Sequence, residues 1–111
     1  MLVAKAGDTA FGLPQAACDR IITVLSDYPE IDRTTIFGSR AKGNYRPGSD
    51  IDLCLDAPAL SMRRRLELEN RLDDLLLPWK IDLLVRQEID NQALLDHIER
   101  IGVTFCNGLE R

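Results

Sequence analysis

Three aspartates and one Gly-Ser pair carry the chemistry open to this sequence. Asp50 and Asp52 lie in the stretch "SDIDLCL", which otherwise alternates as a strand does. Ile51, Leu53 and Leu55 fall on one face, Asp50, Asp52 and Cys54 on the other. Strands disfavour aspartate, and two carboxylates two residues apart on a strand leave the same face, repel, and hold each other's protons. A divalent cation removes that conflict. Carboxylate oxygens are hard ligands that suit Mg²⁺, which keeps several waters and takes substrate phosphates into its shell. Asp82 repeats the oddity in "KIDLLV", where Ile81, Leu83 and Val85 share one face and Asp82 and Leu84 the other. If the two strands are neighbours, three carboxylates converge, which is the arrangement of two-metal phosphoryl or nucleotidyl transfer.

Upstream, Gly38 closes an apolar run and Ser39-Arg40-Ala41-Lys42 can open a helical turn. Backbone N–H groups there, with the Ser39 hydroxyl, would form an anion site for a triphosphate. Glycine leaves room for the close approach of phosphate, and Arg40 and Lys42 add positive charge nearby. Each feature has a bland reading: most D-x-D pairs are solvated turn residues, a Gly-Ser pair alone says little, and Asp82 could be an acid that keeps a sheet edge from aggregating. Together they would need three separate excuses, two of them for acids inside apolar strands, so a metal–phosphate site is the better account.

The elements that must position these residues follow from periodicity. Pro14 reads as a first-turn helix residue, with Ala17, Ile21, Ile22 and Leu25 behind it at helical spacing and a stop near Tyr28-Pro29. Thr34 to Phe37 is a short strand ending at Gly38, Asp50 to Leu55 a second, and Lys80 to Val85 a third. A long helix is expected from Ser61 to Leu77, with Leu66, Leu72, Leu75 and Leu76 as its buried stripe. A last helix runs from about Asn91 to Arg100 and ends at Gly102, with a short strand or tail from Val103 to Cys106. Helices and strands alternate, so the expected fold class is α/β (α+β), a small mixed sheet with helices mainly on one face.

Composition bounds the rest. The chain has 111 residues, 45% of them apolar, and fits a single domain over 1–111. The net charge of −4 argues against direct nucleic-acid binding. Cys18, Cys54 and Cys106 are odd in number and far apart, without metal-ligand spacing, so reduced thiols in a cytoplasmic protein are the simplest reading. Neither a signal peptide nor an apolar run approaching the roughly 20 residues of a membrane span is present, so a soluble protein is expected.

The combined stretch "FGSRAKGNYRPGSDIDL" resembles the signature of the DNA polymerase β-like nucleotidyltransferase superfamily, in which Gly-Ser is followed after ten residues by Asp-x-Asp. The short length and the downstream "WKIDLLV" look most like the minimal nucleotidyltransferases of prokaryotes, and the resemblance extends from the first helix to Gly102. It implies a polymerase β palm-like fold and a role for each residue. Gly38 and Ser39, with Arg40 beside them, would bind the nucleotide. Asp50 and Asp52 would hold two Mg²⁺ ions, and Asp82 would be the third carboxylate, which helps activate the attacking hydroxyl. The implied reaction is transfer of a nucleoside monophosphate, AMP from ATP, to a hydroxyl acceptor. Larger relatives carry a further domain for the acceptor; minimal ones act as antitoxins on a helical HEPN-type partner, in some cases on its tyrosine. Two alternatives stand beside this: a binding module that neutralises a partner by contact, and a small-molecule nucleotidyltransferase assembled as an oligomer.

Other residues are assigned bland roles. His97, the one histidine, reads as a partly buried or surface helix residue. Trp79 reads as packing or a partner anchor, and Tyr45 as a loop aromatic that could stack on a base. Arg63 to Arg65, followed by acids on the same helix, read as a salt-bridged face.

Overall fold

The strand that bears Asp52 is wedged into the middle of the sheet, and the rest of the fold is arranged around it. The computed structural model describes residues 9–107. Strands β1 (Thr9–Ala10) and β2 (Leu13–Pro14) form a small hairpin closed by Phe11 and Gly12. Both turn residues have positive φ, 58° and 74°, as a two-residue hairpin turn that matches strand twist requires. Helix α1 (Gln15–Leu25) follows at once, so Pro14 caps the helix instead of lying in its first turn. Next come β3 (Arg33–Phe37), the short α2 (Gly38–Lys42), β4 (Ile51–Asp56), α3 (Met62–Asp73), β5 (Ile81–Val85), one 3₁₀ turn (Arg86–Glu88), α4 (Gln92–Ile101) and β6 (Val103–Asn107).

The four longer strands form one sheet in the order β5-β4-β3-β6. The β3–β4 and β3–β6 pairs are antiparallel, whereas β4 and β5, joined through α3, are parallel. One face meets α1 and α3. There Ile36, Ile51, Leu53, Leu55 and Leu83 pack with Cys18, Ile21, Val24 and Leu25 of α1 and Leu68 and Leu72 of α3. On the other face Phe37 and Cys54 meet Ile98 of α4, with Leu84 and Leu94 alongside. The fold is the expected mixed sheet with helices mainly on one face. Ile51, Leu53 and Leu55 are each 0% exposed. Burial of each contributes about 1.5–3 kcal/mol, which offsets the cost of placing Asp52 between them on the opposite face.

Helix α3 corrects two details of the sequence reading. It ends at Asp73, short of Leu77, and Leu76 beyond it is 86% exposed with φ +55°. Leu66 is also exposed, and the buried stripe is Leu68 and Leu72, with Leu75 partly buried beside them. At about 100° per residue, Leu66 lies on the side of the helix opposite Leu68, so the two cannot share a buried face. Ser61 starts α3 by accepting a hydrogen bond at its Oγ from the Arg64 N–H. Cys18 and Cys54 are buried free thiols, and the side chain of Cys106 lies outside the described residues. Among the described residues no helix is long and apolar enough to cross a membrane.

Candidate active site

The parallel pairing of β4 with β5 sets Asp52 directly beside Asp82. Pairing with β3 sets Phe37, the residue before Gly38, on the other side of Asp52. The register therefore lines up the end of β3, the acid of β4 and the acid of β5 across one end of the sheet. Asp50 lies one residue ahead of β4 and is exposed, so the strand begins at Ile51. Asp52 is half-buried, and its carboxyl is held above the usual carboxylate range. Burial is the main cause; the charges of Asp82 and Asp50 and a hydrogen bond with Asp82 add to it, and the charge of His97 opposes it. Lys80 Nζ stands 3.5 Å from Asp82 Oδ1, which gives that acid a partial counter-charge.

Among the described residues, no three histidine, cysteine, aspartate or glutamate side chains are closed around one point as a finished metal cage. The donor set is nevertheless the hard-oxygen set that Mg²⁺ takes, with few protein ligands and open positions for water and phosphate. Mutual repulsion of the carboxylates is the conflict a divalent cation would relieve.

The Gly-Ser turn touches this cluster directly. Gly38 has φ +74°, and a Cβ built on it would fall 2.4 Å from Asp52 Oδ2. Both the backbone conformation and the nearby carboxylate disfavour a side chain there. Helix α2 opens on Gly38 and Ser39, and Gly43 ends it with φ +91°, its N–H donating to the Ser39 carbonyl at 2.9 Å. All the residues singled out from the sequence, Gly38, Ser39, Arg40, Asp50, Asp52 and Asp82, thus lie on the Gly-Ser turn, at the start of β4, or on the adjoining β5.

Arg40 is the exception in how it is used. Positive charge free beside a triphosphate is the sequence expectation, but its side chain is only 2% exposed. Its guanidinium donates to the carbonyls of Ser49, Pro47 and Phe11. The donors are spent on the loop and the β1–β2 hairpin. Lys42 remains exposed at the end of α2.

His97 is a partly buried helix residue, as the sequence suggests, and it lies closer to the site than its pattern reveals. Its ring meets Phe37 edge-on, centroids 6.3 Å apart, and its charge acts on Asp52. The helical spacing of Leu94 and Ile98 did place His97 beside a buried stripe; that the stripe packs under Phe37 needs the tertiary fold. Trp79 donates its indole N–H to the Pro47 carbonyl at 2.8 Å, which makes it a loop support. Tyr45 lies over Arg40. In the basic run, Arg64 pairs with Glu30 and Glu67, both at 2.8 Å, and Arg65 with Glu69 and Glu88, forming a salt-bridged face.

Known proteins resemble this chain in sequence and in fold. The family model described as polymerase beta, nucleotidyltransferase, matches residues 19–108. A candidate protein adenylyltransferase of Methanocaldococcus jannaschii, MJ1217, is 35% identical over 77 residues, 68% of this chain and 78% of the relative. A second from the same organism, MJ0126, is 36% identical over 76 residues, 68% of this chain and 76% of the relative. Among solved structures, a toxin–antitoxin complex with AMP-PNP contains a chain with a TM-score of 0.67 and 25% identity, over 84% of this chain and 75% of that one. The complex of a tri-AMPylated Shewanella oneidensis HEPN toxin with its MNT antitoxin matches with a TM-score of 0.63 and 24% identity, over 84% and 71% of the two chains.

Proposed function

Because the chain belongs to the polymerase β nucleotidyltransferase family, we propose that it transfers AMP from ATP to a hydroxyl on a partner protein. The observation that carries this reading is the contact of Gly38 with Asp52, which joins a phosphate-binding turn to a pair of register-matched carboxylates. Gly38 and Ser39 would hold the β- and γ-phosphates through backbone N–H groups and the serine hydroxyl. Asp50 and Asp52, with Asp82 beside them, would hold two Mg²⁺ ions, which when bound supply charge stabilisation at the attacking and leaving oxygens. Asp82 would accept the proton of the acceptor hydroxyl as its oxygen bonds to the α-phosphorus. The bond from that phosphorus to the bridging oxygen of the β-phosphate breaks, and pyrophosphate leaves.

The choice of AMP and of a protein acceptor is supported by the relatives named as protein adenylyltransferases and by the similar chain in a complex with AMP-PNP. The similar chain in a toxin–antitoxin complex, with the fold shared with an MNT antitoxin beside an AMPylated HEPN toxin, supports a HEPN-type toxin as the proposed partner and antitoxin as the proposed role; a tyrosine as the acceptor follows from the family resemblance of the sequence alone. In this reading residues 1–111 act as one cytoplasmic domain that supplies nucleotide and metal, while the partner supplies the acceptor.

The test is transfer of label from [α-³²P]ATP with Mg²⁺ to a purified HEPN-type partner. Wild type should label the partner, and Asp50→Asn with Asp52→Asn should reduce the rate by about 10²-fold or more. Neutralisation of the partner with no label transferred would overturn the enzymatic reading in favour of contact alone. Transfer retained by the double variant would overturn the metal site.

A further inference from the structure

Arg40 is a charged side chain with 2% exposure and no ion pair to a carboxylate among the described residues. Burying a guanidinium is costly unless its N–H groups are all met. Here four of its five N–H groups are met by main-chain carbonyls. Nε and Nη2 donate to Ser49 O at 3.1 and 2.8 Å, Nη2 also to Pro47 O at 3.2 Å, and Nη1 to Phe11 O at 3.0 Å. The faces of Tyr45 and Trp79 lie 5.3 and 5.8 Å from the guanidinium carbon and add cation–π attraction.

The loop from Gly43 to Ser49 is fastened at the same place by other groups. Trp79 also donates to Pro47 O, and the Arg46 N–H donates to Ser49 Oγ. Tyr45 lies so close to Gly12 that a Cβ there would fall 2.2 Å from its ring. The Ser49 carbonyl that Arg40 grips twice belongs to the peptide bond leading into Asp50. A peptide unit is planar, so fixing that carbonyl fixes the plane from which Asp50 departs. Asp50 is itself exposed.

We propose that Arg40 is a positioning residue: it ties the Gly-Ser turn on which it sits to the loop that delivers Asp50, and so sets Asp50 beside Asp52. This rests on the reading of Asp50 and Asp52 as metal ligands. Lysine cannot replace it, since a single ammonium does not reproduce a planar fork reaching three carbonyls.

The experiment compares wild type, Arg40→Lys and Trp79→Phe by three readouts: Mn²⁺ binding by titration calorimetry, hydrogen exchange of the amides at 47–50, and tryptic cleavage after Lys42. Arg40→Lys should bind Mn²⁺ about tenfold or more weakly, the range seen when groups that orient metal ligands are removed. It should exchange and be cleaved faster in the loop while β4 and α1 keep their protection. Trp79→Phe, which removes the bond to Pro47 and keeps a smaller aromatic ring beside Arg40 and the core, should change in the same direction by less, and it carries the test alone if Arg40→Lys does not fold. Unchanged Mn²⁺ affinity with a still-protected loop in a folded variant overturns the proposal. A wild type that binds no Mn²⁺ overturns the metal reading, and with it the positioning role, whatever the loop does.

Discussion

Gly38→Ala puts the contact between the two halves of the site under direct test. The structure gives two costs. A left-handed φ of +74° disfavours alanine by about 1–2 kcal/mol. The added Cβ meets Asp52 Oδ2 at 2.4 Å, well inside ordinary contact, so the carboxylate must swing away from its rotamer, at about 0.5–1.5 kcal/mol. The sum, about 1.5–3.5 kcal/mol, corresponds to a fall in Tm on the order of 5–25 °C for a domain of this size. The second cost exists only while Asp52 is present. In urea denaturation without divalent metal, Gly38→Ala should therefore cost about 0.5–1.5 kcal/mol less in an Asp52→Ala background than in wild type. Strict additivity, within about 0.3 kcal/mol, would refute the contact between turn and carboxylate, even if transfer activity were lost. Full transfer activity in Gly38→Ala would refute its functional meaning.

Two further predictions concern single residues. Burial, then Asp82 and Asp50, hold the Asp52 carboxyl above its ordinary range. The folded state thus keeps a proton that the unfolded chain has released, and metal-free stability falls as pH rises from the ordinary carboxylate value through the raised one. Melting curves recorded across that interval should show the fall in wild type and its loss in Asp52→Asn; the same fall in the variant would contradict the assignment. Leu76 is exposed with φ +55°. Leu76→Gly removes a left-handed penalty of about 1–2 kcal/mol and adds about 0.5–1 kcal/mol of chain entropy, so the unfolding free energy from urea titration should be unchanged or higher by up to about 1.5 kcal/mol. A clear loss would mean that Leu76 packs on something.

What could be read from the sequence divides along physical lines. The strands were legible because Ile51-Leu53-Leu55 and Ile81-Leu83-Val85 alternate, and alternation has one structural meaning. That same pattern marked Asp52 and Asp82 as sharing a sheet face, and the parallel register makes them neighbours. Arg40 was not legible: its charge, next to a glycine turn, says nothing about which carbonyls will fold around it. His97 escaped for a similar reason, since its neighbour Phe37 is sixty positions away. The sequence pattern makes α3 look longer than it is, because Leu75-Leu76-Leu77 prolongs the apolar run past the point where the backbone leaves the helix.

The position of β4 explains how a small domain can tolerate such a site. Asp52 is half-buried between a second acid and a glycine turn, and burial with its like-charged neighbours already opposes its ionisation. A strand at a sheet edge could relieve that strain by slipping or fraying. β4 is paired on both sides and anchored by three residues with no exposure. A one-residue slip would carry Ile51, Leu53 and Leu55 to the wrong face. The Asp52 carboxylate is therefore held in place by a core that resists a shift of register. It follows that Asp52→Asn, which should abolish transfer, should also give the more stable protein when no metal is present. In that case the strain belongs to the function and not to the fold.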